Sequence, residues 1–362
     1  MGNLIKHHKN ERKNSKLESP LDKIQINLEK VKCKYQPSDF AERSVFLAMK
    51  SPTSYAIGEH INDLMVVENL TEIKHDGISE GSGSIKGILY IDHLGCYLVH
   101  HTGRIDRKDI DINPPYPYMS LRSPYRSGGR LRYSKRNKKL IVLDKENGLS
   151  VIDLGRKRVE MKVETRFLSS IHDFRIFGPK ENKIVSISQE SEICFYVISY
   201  GLKKTLSTVR QRFELGDDLS HHVPISLAAS DQGKYIAVSM TDLHTFKSSR
   251  LILFEVVKGR SLVKIATLNE ESQRMSSKYA FEFWRRIGSH LLWVGLTIED
   301  GYLQLFDYDI ESGRLGEVVK KKARHLHRER DPFYIQRLGG KLYYTGKLGS
   351  IWAISLNNSL IA

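Results

Sequence analysis

A unit of two short β-rich runs recurs along the chain and limits its possible folds more than any other feature of the sequence. Each copy has an apolar run, a short gap, and a second apolar run that precedes a polar turn. The best-matched copies occupy residues 182–197, 233–256 and 289–308. Self-similarity at intervals of roughly 40 to 50 residues is typical of a propeller or a solenoid. The chain is therefore predicted to be a repeat protein.

Looser copies of the same unit flank these three and raise the number of units to about seven. They pair residues 54–58 with 63–67, 87–91 with 96–99, 138–143 with 148–154, and 340–346 with 349–354. Almost nowhere does a helical period of apolar residues last for ten or more positions, which favours strands over helices. With 40% hydrophobic and 27% charged residues, the chain can bury a sizeable core. These patterns predict an all-β fold.

The second runs of several units resemble a known family. The tripeptides 306–308 (Phe-Asp-Tyr), 151–153 (Val-Ile-Asp) and 351–353 (Ile-Trp-Ala) are similar to the third strand of WD40-type blades. The Trp-Asp dipeptide of that family is absent, and its Gly-His dipeptide is approximated only at His172. The resemblance is to a degenerate WD40-like β-propeller. It implies a single propeller of about seven blades, and the side-chain hydrogen-bond networks of the family are not carried over to this chain.

The two ends of the predicted propeller have complementary patterns. Residues 23–29 alternate between apolar and polar types, as expected for an outer strand with one face in water. The last unit lacks a fourth strand, and a propeller avoids an exposed edge when one terminus completes the blade begun by the other. Residues 23–29 are therefore predicted to pair beside 351–356, within a propeller spanning 21–362. Residues 1–20 are basic and poor in apolar types, and they predict a flexible tail.

Charge and cysteine content narrow the class of protein only partly. The net charge of +15 attracts nucleic acid, anionic lipid headgroups or acidic protein surfaces. The three cysteines, Cys33, Cys96 and Cys194, form no Cys-x-x-Cys pair, which argues against a disulfide framework or a zinc site. A reduced intracellular compartment is expected, the cytoplasm rather than the nucleus. No run approaches about 18 apolar residues, so no membrane span is predicted.

Motifs for catalysis or metal binding find no support in the sequence. Adjacent histidines such as His100 and His101 point to opposite faces of a strand, so they cannot offer two ligands on one side. The Gly-Ser-Gly at 81–83 lacks the spacing of a phosphate-binding loop. We therefore predict no catalytic residue, no metal and no cofactor, and expect that the chain is not an enzyme.

A basic segment rich in tyrosine, residues 114–136, is the candidate partner-binding loop. Cations beside aromatic rings suit phosphate contact with base stacking, and equally a protein interface, where Arg and Tyr are common anchors. Basic residues continue just beyond it at Lys138 and Lys139. The predicted contact residues are Tyr116, Tyr118, Arg122, Tyr125, Arg126, Arg130, Arg132, Tyr133 and Arg136.

Three functions are compatible with these patterns. The favoured hypothesis is a non-catalytic WD40-like scaffold that binds proteins with acidic surfaces inside a larger complex. The alternative is a propeller that binds RNA or single-stranded nucleic acid through the same basic, tyrosine-rich loop. A propeller-type hydrolase is third, and its distinguishing feature would be a cluster of buried carboxylates or histidines in the central channel.

Overall fold

A computed structural model provides the description of the chain. It describes residues 21, 24–31, 45–59, 64–69, 71–75, 85–101, 104–108, 116–120, 131–143, 148–163, 171–188, 192–198, 206–212, 222–242, 249–258, 261–270, 281–297, 302–322, 335–345 and 350–356. Among these residues, no helix has the length and apolar content needed to cross a membrane.

Seven antiparallel sheets of four strands each make up the described structure. Strand β1 (Ile26–Val31) comes first in the chain but belongs to the last sheet. Blades 1 to 3 contain β2 (Val45–Ser51), β3 (Ser54–Glu59), β4 (Leu64–Glu68) and β5 (Thr71–His75); β6 (Ile85–Ile91), β7 (Cys96–His101), β8 (Arg104–Lys108) and β9 (Tyr116–Ser120); and β10 (Leu131–Ser134), β11 (Lys139–Leu143), β12 (Leu149–Asp153) and β13 (Arg158–Val163). A short 3-10 helix, Asp92–Leu94, joins β6 to β7.

The remaining blades follow the same order. Blades 4 to 6 contain β14 (Ile171–Phe177), β15 (Lys183–Ser188), β16 (Glu192–Ile198) and β17 (Leu206–Arg212); β18 (His222–Ala229), β19 (Tyr235–Asp242), β20 (Ser249–Val257) and β21 (Ser261–Glu270); and β22 (Phe281–Ile287), β23 (His290–Thr297), β24 (Tyr302–Asp309) and β25 (Arg314–Lys322). Blade 7 contains β26 (Ile335–Leu338), β27 (Lys341–Thr345) and β28 (Ile351–Leu356), and β1 is its fourth strand.

The first strand of each blade forms the inner ring of the molecule. Each first strand contacts the first strand of the next blade, and β26 of blade 7 contacts β2 of blade 1, so the ring is closed. This arrangement is a seven-bladed β-propeller. The predicted all-β class, the fold-level resemblance to WD40-like propellers and the number of blades are confirmed.

Strand β1 closes the ring, as predicted. It pairs antiparallel with β28, with Ile26 opposite Leu356 and Val31 opposite Ile351. The strand begins at Ile26, three positions after the predicted start, because Ile26 is the first residue opposite β28. The Lys321 Nζ of blade 6 donates a hydrogen bond to the Ile26 carbonyl at 2.7 Å. The predicted tail, residues 1–20, lies outside the described residues.

The recurring unit of the sequence corresponds to the second and third strands in six of the seven blades. The three tripeptides that carried the resemblance all lie in third strands, β12, β24 and β28. Blade 2 is the exception, because residues 87–91 lie in its first strand, β6, and 96–99 in its second, β7. The predicted alignment of that unit was therefore wrong by one strand.

The core lies between neighbouring blades. One cluster joins Val185 and Phe195 of blade 4 to Leu227 and Ile236 of blade 5. Both faces of the middle strands are covered by adjacent blades, which explains why they read as nearly continuous apolar runs. Cys96 and Cys194 are buried in such layers.

The turn between the first and second strands lies at the same end of every blade, because each sheet is antiparallel and each first strand faces the ring. We call this end the turn face. Turns of neighbouring blades are in contact at this face. A Cβ added to Gly233 of blade 5, whose φ is +65°, would lie 2.6 Å from the Cα of Gly178 in blade 4. Only glycine fits this close backbone approach.

Candidate partner-binding surface

The structure divides the predicted basic loop among strands and a turn. Tyr116 and Tyr118 lie in β9, Arg132 and Tyr133 lie in β10, and Arg136 lies in the turn between β10 and β11. A single loop was therefore the wrong prediction for this segment. Outside the described residues lie the side chains of Tyr116 and Tyr118 and the whole of Arg122, Tyr125, Arg126 and Arg130.

Arg132 points to the inner ring of the propeller. Its Nη2 lies 3.7 Å from the Asp173 carboxylate of blade 4, and its guanidinium carbon lies 6.0 Å from the centre of the Phe174 ring. The side chain is 24% exposed. Arg132 therefore contributes to the contact between blades 3 and 4, and it is a weaker candidate for partner binding than the sequence suggested.

Asp173 is the centre of a buried network at the inner ring. Its carboxylate accepts hydrogen bonds from the backbone nitrogens of Phe174 at 2.7 Å and Leu227 at 3.2 Å. It also accepts from Arg175 Nη1 at 2.9 Å and from Ser226 Oγ at 3.2 Å. Both carboxylate oxygens are thus engaged in contacts within and between blades. A propeller-type hydrolase would need buried carboxylates at the central channel, and Asp173 is buried at the inner ring. Its contacts, however, are those of a structural ion pair.

Tyr133 stacks on His93 of blade 2 at the turn face. The ring centres are 5.7 Å apart with planes at 12°, and the Tyr133 hydroxyl lies 2.6 Å from His93 Nδ1. Burial, reinforced by Asp92, raises the pKa of Tyr133 to about 12. Burial and the charge of Lys138 lower the pKa of His93. At neutral pH a protonated tyrosine can therefore donate to a neutral imidazole.

The turn that follows Tyr133 is fixed by contacts with blade 4. The Glu181 carboxylate accepts hydrogen bonds from Ser134 Oγ at 2.9 Å and from the Arg136 backbone at 3.0 Å. Arg136 Nη1 donates to the Pro179 carbonyl at 2.7 Å, and Asn137 Nδ2 donates to the Glu181 carbonyl at 3.0 Å. These contacts hold the backbone of the turn while its basic side chains stay exposed.

A second basic turn, which was not predicted from the sequence, lies beside the first. Lys139 and Asp153 are opposite each other in β11 and β12, so the turn before Lys139 and the turn after Asp153 emerge at the same end. The Asp153 carboxylate caps this second turn by accepting the Arg156 backbone N–H at 2.9 Å. The consecutive residues 156–158, Arg-Lys-Arg, which end this turn and begin β13, were the available signal, but their proximity to Arg136 depends on strand register.

Two carboxylates of β12 and β13 are bound to Lys139, which lies below the exposed cations. Lys139 Nζ lies 2.6 Å from Asp153 and 3.0 Å from Glu160. Burial alone would raise the pKa of Asp153, but hydrogen bonds from Lys139 and the Arg156 backbone hold it below its usual value. Burial likewise opposes the charge of Lys139, whereas both carboxylates raise its pKa. Lys139 and Asp153 are therefore ionised at neutral pH.

The exposed cations at this end of blade 3 form what we call the basic turn surface. One of them, Lys135, is 67% exposed and lies 2.5 Å from Asp92. In the described region, this surface brings together one predicted contact residue and five others. Its members are Lys135, Arg136, Lys138, Arg156, Lys157 and Arg158.

Two members of the basic turn surface have a strained backbone. Lys138 has a φ of 52° and Lys157 a φ of 51°. The left-handed region costs about 1–2 kcal/mol for a residue with a side chain. Glu181 in the first turn of blade 4, and Asn69 and Lys258 in the third turns of blades 1 and 5, adopt the same conformation. The strain therefore recurs in these turns and does not by itself indicate a function.

Comparison with known proteins shows similarity in fold and not in sequence. No family model and no curated protein matches the chain. A solved Lactobacillus plantarum protein has a TM-score of 0.59 at 13% identity, over 77% of this chain and 85% of that one. The N-terminal domain of Nup159 gives 0.57 at 10% identity, over 91% and 95%. A chain from an S. cerevisiae complex of Dbp5 with Nup159, Gle1, IP6 and ADP gives 0.56 at 11%, over 91% and 95%.

Proposed function

We propose that this chain is a non-catalytic protein-binding scaffold that docks acidic surfaces of partner proteins, within a larger complex, on the basic turn surface. The observation that carries the proposal is the concentration of six exposed cations at one end of blade 3, five in two neighbouring turns and Arg158 at the start of β13. The carboxylates closest to them in β12 and β13, Asp153 and Glu160, are bound to the partly buried Lys139. A positive field of this kind attracts an acidic partner and orients it.

The rigidity of the two turns supports the proposal. Glu181 and Asp153 fix the turn backbones through hydrogen bonds, so part of the ordering cost of binding is met before a partner arrives. The similarity to Nup159, which is bound in a complex with Dbp5, is consistent with this type of function. At that level of identity it concerns the fold, so the partner-binding role stands on the residues of this chain.

A protein partner is favoured over single-stranded nucleic acid by the aromatic residues present. Stacking platforms for bases need open aromatic faces beside the cations. In the described part of the surface, Tyr133 and His93 stack on each other at 5.7 Å, so each ring covers one face of the other. With one face of each ring covered, these two aromatics offer a base less stacking area, and the exposed cations suit carboxylates at least as well as phosphates.

Charge reversal combined with affinity purification tests the proposal. The test variant is Lys138→Glu, Arg156→Glu, Lys157→Glu. The control variant has the same change in charge on blades 5 and 6, Lys258→Glu, Lys264→Glu, Arg314→Glu, and its two lysines and one arginine are likewise exposed. The tagged proteins are purified from their native cells with and without nuclease.

We expect the wild-type and control proteins to retain the same stoichiometric partners after nuclease treatment, and the blade 3 variant to lose them. Partners that stay bound to the blade 3 variant would contradict the assigned surface. Loss of all partners from the wild-type protein on nuclease treatment, with RNA or DNA recovered beforehand, would contradict a protein-binding scaffold.

A further inference from the structure

The two turns of the basic turn surface are separated by a distance that strand spacing determines. The first turn joins β10 to β11 and the second joins β12 to β13, and the four strands are neighbours in one sheet. Neighbouring strands lie about 4.8 Å apart, so the centres of the two turns lie roughly 10 Å apart. The surface therefore presents two groups of cations at a fixed spacing and not a uniform positive field.

Each group holds exposed cations on a fixed backbone. The first contains Lys135, Arg136 and Lys138, and the second contains Arg156, Lys157 and Arg158. The first is anchored to blade 4 through Glu181, and the second is capped by Asp153. Since both backbones are anchored, the spacing between the two turns is fixed, and only side-chain rotation adjusts the distance between the cations.

An extended peptide advances by about 3.3 Å per residue, so positions three apart are about 10 Å apart. Side chains alternate between the two sides of an extended peptide, so two adjacent acidic residues place one carboxylate on each side. One carboxylate of the pair therefore faces a cation group whichever side of the peptide contacts the propeller. Two acidic pairs with one residue between them have centres three positions apart. This spacing equals that of the two turns.

We propose that the basic turn surface binds an extended acidic segment of a partner protein in which two acidic pairs are separated by a single residue. The inference rests on the proposed function and names the chemical class of the segment that the surface recognises. Each acidic pair contacts one turn, and the segment crosses the end of blade 3 from β10 toward β13. Recognition then depends on the spacing of the charges as well as on their number.

Two synthetic peptides of equal charge test this inference. Each carries two Glu-Glu pairs, joined by one proline in the first peptide and by five in the second. Proline spacers stay extended at about 3.1 Å per residue, so the pair centres lie about 9 Å and about 22 Å apart. Fluorescence anisotropy of labelled peptides with the full chain measures the affinities.

We expect the one-proline peptide to bind at least about fivefold more tightly, because only it reaches both turns at once. The variant Arg156→Ala, Lys157→Ala should reduce its affinity to that of the five-proline peptide, while Lys258→Ala, Lys264→Ala should leave the difference intact. Equal binding of both peptides, lost on charge reversal of blade 3, would overturn the spacing inference and leave the proposed function standing.

Two further outcomes would test more than the spacing of the charges. If the wild-type chain binds neither peptide and the charge-reversed protein retains its cellular partners, the proposed function fails as well. If a uridine oligonucleotide with four phosphates binds more tightly than the one-proline peptide, the surface is selective for nucleic acid, and the peptide inference is overturned.

Discussion

Individual residues of this propeller separate into those that hold the blades together and those that face a partner, and sequence alone does not sort them. Arg132, Tyr133 and Arg136 belong to the same basic, tyrosine-rich segment of the sequence. Yet Arg132 lies against Asp173 at the inner ring, and Arg136 is exposed. Arg132 lies within β10, where it contacts blade 4, whereas Arg136 lies in the turn after this strand. The sequence does not show where β10 ends, and it does not identify Asp173 as the neighbour of Arg132.

The two left-handed lysines allow strain to be separated from charge. We expect Lys138→Gly with Lys157→Gly to leave the free energy of unfolding unchanged or raise it by up to about 1 kcal/mol, because relief of left-handed strain is partly offset by the entropy of glycine. The same variant should weaken binding of the acidic partner several-fold. Denaturant titration and anisotropy measure the two effects.

Lys258 provides the matched control, since it has a φ of 50° in a turn of blade 5. Lys258→Gly should change stability in the same direction without affecting partner binding. If partner affinity is unchanged in the blade 3 variant, the two lysines do not act in recognition, and their strain has another origin.

The sequence was most informative about the strands and turns of the fold. The alternation of residues 23–29 and the missing fourth strand of the last unit were enough to predict that β1 pairs with β28. Blade 2 was misaligned because residues 87–91 and 96–99 are both apolar, and the true third strand, Arg104–Lys108, is mostly charged. The turn at 154–157 was missed because its relation to residues 135–138 requires the β11–β12 register.

Ring closure by β1 gives the prediction at this level. Deleting residues 21–32 removes the fourth strand of blade 7 together with the buried Leu21 and Ile26, which pack with Trp284. Exposure of this apolar surface and of the β28 edge should lower the melting temperature markedly and broaden the transition. Thermal unfolding followed by circular dichroism measures the change.

Lys30→Ala, at an exposed position of the same strand, should stay within about 0.5 kcal/mol of the wild-type stability. A deletion protein that melts like the wild type would show that β1 contributes little to closure.

At the scale of the whole molecule, the inner ring is held by arginines that reach past a neighbouring blade. Arg175 of blade 4 donates to the Phe281 carbonyl of blade 6 at 3.3 Å, and Arg337 of blade 7 forms an ion pair with Asp231 of blade 5. Such contacts connect blades that are not adjacent in the ring. They make the propeller a cooperative unit, in contrast to an open array in which each repeat contacts only its neighbours.

Each of these arginines forms an ion pair, Arg175 with Asp173 and Arg337 with Asp231. The two pairs differ in burial, and this difference leads to the last prediction. Asp173 is fully buried, whereas Asp231 is 59% exposed. Asp173→Ala leaves the buried Arg175 without its closest carboxylate and removes the acceptor used by Phe174, Ser226 and Leu227. We expect a loss of about 3–5 kcal/mol in the free energy of unfolding, measured by urea denaturation.

The control, Asp231→Ala, should cost less than about 1 kcal/mol, because water screens the exposed pair. The double variant Asp173→Ala, Arg175→Met should recover part of the loss, since it also removes the unpaired buried charge. Equal costs for the two aspartate variants would mean that the buried network contributes no more to stability than a surface ion pair. The cooperativity of the ring would then have to arise from the apolar layers between adjacent blades alone.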